Sequence, residues 1–148
     1  MYKVTKELHF CYGHRLLNYQ GICMHPHGHN SKVEIELTLS GLDDRHMVVD
    51  FGDIKRVIQS WIDENLDHKM VLHKDDPLVK PLKELHEPLF LLNTNPTAES
   101  LARLIFDYAI SQGFPVSEVR LWEGYTSYAS YSQADASSAD GPVGYQKL

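Results

Sequence analysis

Residues 32–39 alternate without exception, with Val33, Ile35, Leu37 and Leu39 on one parity and Lys32, Glu34, Glu36 and Thr38 on the other. A period of two sustained over this length describes a strand with one buried and one wet face, and no helix can bury that pattern. The even positions from Tyr2 to Tyr12 give a second, mostly apolar strand face, and His14 continues its parity just past Gly13. Such faces need a cover. Asp50 is placed to cap a helix that carries Phe51, Ile54, Val57, Ile58, Trp61 and Ile62 at helical spacing and ends near Asn65. Asn95-Pro96-Thr97 announces a second helix with Leu101, Leu104, Ile105, Tyr108 and Ala109 as its stripe, stopped at Gly113. Gly41 to Arg45 reads as a turn, Met47 to Val49 as a short returning strand, and Val116 to Glu123 and Tyr125 to Tyr131 as two further strands. The order β-β-β-α-α-β-β predicts an α+β fold, an antiparallel sheet with two helices on one face.

At 148 residues the chain has room for one domain, assigned to residues 1–133. Residues 69–94, punctuated by Pro77, Pro81 and Pro88, read as a long insertion with a short helix around Val79 to Leu85. Residues 134–148, rich in Ala, Ser, Asp and Gly, read as a mobile tail. A net charge of −6, with no basic run longer than Lys55-Arg56, argues against nucleic-acid binding. No apolar run approaches the ~18 residues of a membrane span, and MYKVTKELHF lacks the core of a signal peptide, so a cytoplasmic protein without membrane attachment is expected. In that compartment Cys11 and Cys23 are expected as thiols.

Histidine is the outlier: there are nine, and His9, His14, His25, His27 and His29 crowd the first thirty residues. In Cys23-Met24-His25-Pro26-His27-Gly28-His29, two imidazoles at i and i+2 on an extended segment point the same way, with Gly28 leaving no side chain between them. His14, from a neighbouring strand end, can supply a third nitrogen. Three histidines leave one position of a tetrahedral zinc ion open, which is the composition of a catalytic site. Cys23 can serve beside the metal as a base, or as the fourth ligand of a closed structural site in a binding or scaffold module. Cys11, on the non-apolar parity, reads as a small packing residue. Asp67-His68 is a carboxylate and imidazole pair at a helix end, either a proton relay or a capping feature. Glu123 shares the parity of Val119 and Leu121, so its carboxylate needs a partner, either an internal arginine or a ligand with paired N–H donors. Arg15 and Lys32 flank the histidine segment and are candidates for a local basic lining.

Phe10-Cys-Tyr-Gly-His14-Arg-Leu, Cys23-x-x-x-His27-Gly-His29, Leu66-Asp67-His68, Asn95-Pro-Thr-Ala-Glu99 and a late strand ending in Glu123 together resemble the 6-pyruvoyltetrahydropterin synthase / 6-carboxytetrahydropterin synthase family, in order, from about residue 3 to residue 131. The resemblance implies a tunnelling fold (T-fold), a four-stranded antiparallel sheet with two helices on one face, assembled as a homo-oligomer, commonly a hexamer of two stacked trimers. It implies Zn²⁺ on His14, His27 and His29, Cys23 as catalytic base with Asp67 and His68 as acid–base partners, and Glu123 as the pterin anchor. Thr97 and Glu99 match a stretch near the pterin pocket. The implied substrate is 7,8-dihydroneopterin triphosphate. The branch expected is the lyase that releases acetaldehyde and triphosphate to leave 6-carboxy-5,6,7,8-tetrahydropterin in the queuosine (deazapurine) route, with 6-pyruvoyltetrahydropterin synthase as runner-up. A branch forming 6-hydroxymethyldihydropterin tends to carry Glu where this chain has Cys23.

Overall fold

Strands β1 (Tyr2–His14) and β2 (His27–Leu39) pair antiparallel over their whole length, with Tyr2 opposite Leu39 and His14 opposite His27. The computed structural model describes residues 1–133 and the backbone of residues 145–146, so the segment read as a mobile tail lies almost entirely outside the described residues. Strand β2 pairs on its other side with β5 (Val116–Trp122), which in turn pairs with β6 (Tyr128–Ser132), both antiparallel. These four strands are the sheet expected from the sequence.

The sheet continues beyond β1. Strand β3 (Lys69–His73) runs parallel to β1, β4 (Leu89–Leu92) runs parallel to β3, and β7 (Tyr145–Gln146) closes that edge antiparallel to β4. The described sheet is therefore mixed, in the order β6-β5-β2-β1-β3-β4-β7, where four antiparallel strands were expected. The segment 69–94 accordingly holds two strands and, between them, the expected short helix α2 (Val79–Glu84). Met47 to Val49 forms no strand; the turn before it is closed by Asp43, whose carboxylate accepts from the Arg45 and Met47 N–H groups at 2.8 and 2.9 Å.

Helix α1 (51–65) is α-helical at Phe51–Ile54 and Ser60–Asn65, with a π-helical turn at Lys55–Gln59 between them. Asp50 caps it by accepting from the Gly52 N–H at 2.7 Å. Helix α3 (Ala98–Ser111) is capped by Thr97 and ends before Gly113, whose φ of 85° only glycine adopts freely. Ile54, Ile58 and Ile62 of α1 and Leu101, Leu104 and Ile105 of α3 bury the even face of β1 and the odd face of β2, namely Leu8, Phe10, Val33, Ile35 and Leu37. Trp61 stacks on Tyr108 at 4.4 Å between ring centroids and joins the two helices. Ile35 has no exposed surface, so its truncation to Ala would cost about 2–5 kcal/mol. The other face of the sheet is charged, with Lys3 on Glu36 and Lys32 on Glu34, each at 3.0 Å, and Arg120 on Glu118 at 2.7 Å. Among the described residues no helix is long and apolar enough to cross a membrane.

Candidate metal centre

Because β1 ends where β2 begins, the hairpin register sets His14 opposite His27 and Tyr12 opposite His29. The strand parity then turns His14, His27 and His29 to the helix-covered face, as their spacing predicted. Their ring centroids lie 4.5 to 5.1 Å apart, and one nitrogen from each ring falls within 4.8 Å of the others. His14 Nε2 and His29 Nε2 are 3.1 Å apart. Two nitrogens on a tetrahedral zinc ion are separated by about 3.3 Å, so the spacing fits that ion.

The outer nitrogens strengthen the fit. His14 donates from Nδ1 to the Pro96 carbonyl at 2.7 Å, and His27 donates from Nδ1 to the His25 carbonyl at 2.7 Å. A carbonyl can only accept, so each Nδ1 carries the proton and each Nε2 presents its lone pair inward, the arrangement that orients imidazoles for a metal. Burial holds His14 below the ordinary histidine range, aided by the two neighbouring imidazoles and opposed by Pro96 and Glu123, which keeps the ring neutral and able to ligate.

Asn95-Pro96-Thr97 does more than start a helix. The Asn95 side chain accepts from the Leu17 N–H and donates to the Leu17 carbonyl, each at 2.8 Å, and so clamps the loop that joins β1 to β2. Pro96 orients His14, and Thr97 Oγ1 accepts from the Ser100 N–H at 3.2 Å. Sequence reading took this stretch as a helix start and as one of the motifs that carry the resemblance, but not as the support of His14; the two orienting carbonyls carry no side-chain signal.

A cleft of about 370 Å³ opens over the histidines and is also lined by Cys23, Thr97, Glu99 and Glu123. Cys23 sits in the short 3₁₀ turn Ile22–Met24, whose position is fixed by the Leu16 N–H donating to the Cys23 carbonyl at 2.9 Å. Cys11 and Cys23 are both free thiols. Among the described residues the gathered ligand set is the three histidines without Cys23.

Glu123 follows β5 on the expected face. Its Oε1 stands 3.8 Å from His14 Nε2 and 3.9 Å from His29 Nε2, and accepts from the Tyr12 hydroxyl at 3.4 Å. Tyr12 is buried under the site, and that burial, with the Glu123 charge, pushes its hydroxyl far above the ordinary range. The carboxylate therefore faces the histidine nitrogens.

Two expectations are corrected here. Arg15 is no free cation: its guanidinium makes a two-pronged pair with Asp76, at 2.8 and 2.5 Å, and the Asp76 side chain is fully buried. Burial works against the Asp76 charge, yet Arg15 and the Leu78 N–H hold its carboxyl below the usual range. Lys32 lies on the opposite face, paired with Glu7 and Glu34 and 4.7 Å over the Trp122 ring. Gly28 also has a reason other than room between the imidazoles. A Cβ there would meet the Tyr12 carbonyl oxygen of β1 at 3.1 Å.

Asp67 and His68 lie elsewhere. Asp67 Oδ1 accepts from the Cys11 N–H at 2.9 Å, its Oδ2 accepts from His68 Nδ1 at 2.7 Å, and the His68 N–H donates to the Cys11 carbonyl at 2.7 Å. Burial opposes the Asp67 charge, but the Cys11 N–H and His68 keep its carboxyl below the ordinary range. His68 adopts φ 56°, in the left-handed region that few non-glycine residues enter. The Cys11 Sγ is 3.5 Å from both ring nitrogens of His68. In one chain the pair thus faces Cys11, and His68 lines a second cleft of about 750 Å³ that shares His27 and His29, but not Cys23, with the first.

A family model described as 6-pyruvoyl tetrahydropterin synthase matches residues 3–134. A protein of Rickettsia bellii named 6-carboxy-5,6,7,8-tetrahydropterin synthase is 38% identical over 130 residues, covering 83% of this chain and 94% of that protein. The protein of the same name from Haemophilus influenzae is 30% identical over 142 residues, covering 90% of this chain and 100% of its own length. Among solved structures, an uncharacterized protein of Wolinella succinogenes superposes with a TM-score of 0.75 at 28% identity, over 90% of this chain and 98% of that one.

Proposed function

The chain belongs to the 6-pyruvoyl tetrahydropterin synthase family, and from that premise we propose that it is a cytoplasmic zinc-dependent lyase that converts 7,8-dihydroneopterin triphosphate to 6-carboxy-5,6,7,8-tetrahydropterin, with release of acetaldehyde and triphosphate, in queuosine biosynthesis. The observation that carries the proposal is the convergence of His14, His27 and His29 with two of their Nδ1 protons tied to backbone carbonyls. The names of the Rickettsia bellii and Haemophilus influenzae relatives support the carboxy branch.

His14, His27 and His29 would hold the ion, which when bound supplies Lewis acidity toward the hydroxyl oxygens of the substrate side chain. The remaining chemistry belongs to the chain. Cys23, in the wall of the same cleft, takes a proton from the substrate side chain as its thiolate. Glu123 accepts from the paired N–H donors of the pterin ring, and Thr97 and Glu99 border the space the ring enters. Asp67 fixes the His68 ring through its Nδ1–H, which leaves His68 Nε2 as the atom that exchanges a proton with the substrate.

Cys23 and His68 line two different clefts that share His27 and His29, an arrangement in which a second copy would bring its own His68 to the Cys23 side. This supports a homo-oligomer, with the hexamer of two trimers as the expected form. The exposed backbone of edge strand β6 gives the same preference a second cause. A closed structural site with Cys23 as fourth ligand has no support in a ligand cluster that omits it.

Incubation of the zinc-loaded protein with 7,8-dihydroneopterin triphosphate tests the proposal. Acetaldehyde together with 6-carboxytetrahydropterin supports it. A 6-pyruvoyl product transfers the chain to the other branch, and recovery of unchanged substrate rejects a synthase of either kind.

A further inference from the structure

The thiol of Cys11, the carboxylate of Asp67 and the imidazole of His68 each offer a ligand atom, and these atoms lie within 4.8 Å of one another. We propose that Cys11, Asp67 and His68 form a second divalent-metal site, separate from the three-histidine centre, that takes a thiophilic ion of the zinc class. The cluster stands where β1 meets β3, beside the pairing of Tyr12 with Lys69.

The spacing suits such an ion. A sulfur and a nitrogen on one tetrahedral zinc are about 3.6 Å apart, given the usual bond lengths; Cys11 Sγ lies 3.5 Å from both His68 ring nitrogens, so it is within that reach, and the ring rotates to aim one nitrogen at the ion. The backbone that carries the ligands is already fixed, by the Cys11 N–H on Asp67 Oδ1 at 2.9 Å and the His68 N–H on the Cys11 carbonyl at 2.7 Å. Asp67 Oδ1 stays on that N–H, so Oδ2 is the oxygen that turns to the ion and gives up its bond to His68. The His68 side chain is 78% exposed, so once its bond to Asp67 is released the ring can turn toward the ion, and a water can complete the coordination. One thiolate, one imidazole and one carboxylate suit zinc or cobalt far better than magnesium or calcium, which take oxygen ligands. Binding expels the Cys11 thiol proton to solvent, and no electron moves.

The consequence for activity rests on the function proposed above. An ion held by Asp67 and His68 occupies the acid–base pair, so excess zinc stops turnover that the first equivalent supports. Loading at the three-histidine centre and at this cluster is then ordered, activating first and inhibiting second.

Cobalt(II) is the probe, added to the full-length protein in steps while absorption and bound metal are measured. The three-histidine centre gives no thiolate-to-cobalt charge-transfer band, whereas the Cys11 cluster gives one. Two equivalents per chain are expected, the band growing with the second. Cys11→Ser should remove the band and the second equivalent and keep the first, and Cys23→Ala should keep both. His68→Ala, at an exposed side chain, should lose the second equivalent without loss of folding. A wild-type protein that binds one equivalent, or a Cys11→Ser variant that keeps the band, overturns the proposal. Excess zinc should depress wild-type turnover and leave Cys11→Ser insensitive. A protein without turnover in any state defeats the functional reading, while the cobalt titration still decides the site.

Discussion

The Nδ1 of His14 meets the carbonyl oxygen of Pro96, 82 residues away along the chain, at 2.7 Å. That bond decides which nitrogen His14 offers to a ligand, and Asn95 holds the bond in place by clamping Leu17. Asn95→Ala should therefore lower zinc affinity by roughly 10–100-fold, as loss of outer support does at metal sites. It should also cost about 1–3 kcal/mol in stability for two hydrogen bonds. Competition against a calibrated chelator, alongside thermal melting, measures both, and an unchanged affinity would separate the clamp from the metal.

Cys23→Ala should keep its metal and lose turnover, because the ligand cluster forms without the thiol. His27→Ala should lose the metal. Metal analysis of the two purified variants is sufficient, and a Cys23→Ala protein that comes off the column without zinc would convert the site to a structural one.

Glu123→Gln keeps the size of the side chain but sets a donor where the pterin ring also donates. The expected loss in pterin affinity is about 2–4 kcal/mol, from the lost charge and the unpaired groups. Its described polar contacts are two imidazoles and one long bond from Tyr12, with no arginine, so the melting temperature should hardly move. Normal pterin binding with early melting would make Glu123 a structural residue.

Arg15 and Asp76 tie the start of the histidine loop to the segment after β3, and they give the fold an acid-sensitive element. The folded Asp76 carboxyl is held below its ordinary value, so the unfolded chain binds the extra proton in the acid range. The stabilisation is complete above the ordinary aspartate pKa, about 3.9, and is lost as the pH falls through the lower folded value. Arg15→Ala should cost about 3 kcal/mol at neutral pH, the low end for a broken buried pair because Arg15 keeps 21% of its side chain exposed. Urea midpoints followed from about pH 6 down to about pH 2, a range that reaches below the ordinary aspartate pKa, should show wild type and variant converging toward acid. Parallel curves would remove Asp76 as the cause.

Alternation is a local signal, which is why Val33, Ile35 and Leu37 revealed their strand and why parity alone turned His14, His27 and His29 to one face. Val71 and Leu72 in β3, and Phe90, Leu91 and Leu92 in β4, are buried in runs without a period, because parallel strands inside a sheet are covered on both sides. Punctuated by three prolines, they read as an insertion. Cys11 is the opposite case: its parity reads as that of a small packing residue, but its surroundings are set by Asp67, 56 residues away, through a backbone N–H that no sequence pattern marks.

All three histidines of the metal centre belong to one hairpin, joined by the loop 15–26, while the carbonyl that orients His14 arrives from the far side of the chain. Closing a loop of that size takes on the order of 100 ns, and a hairpin zips within microseconds. Parallel pairing of β1 with β3 and docking of α3 demand contacts between distant segments and come later. A newly made chain can thus collect its ligands before most of the sheet exists. An ion taken up at that stage would be held loosely until Pro96 docks on His14, and would act as a template for the strands that have yet to join.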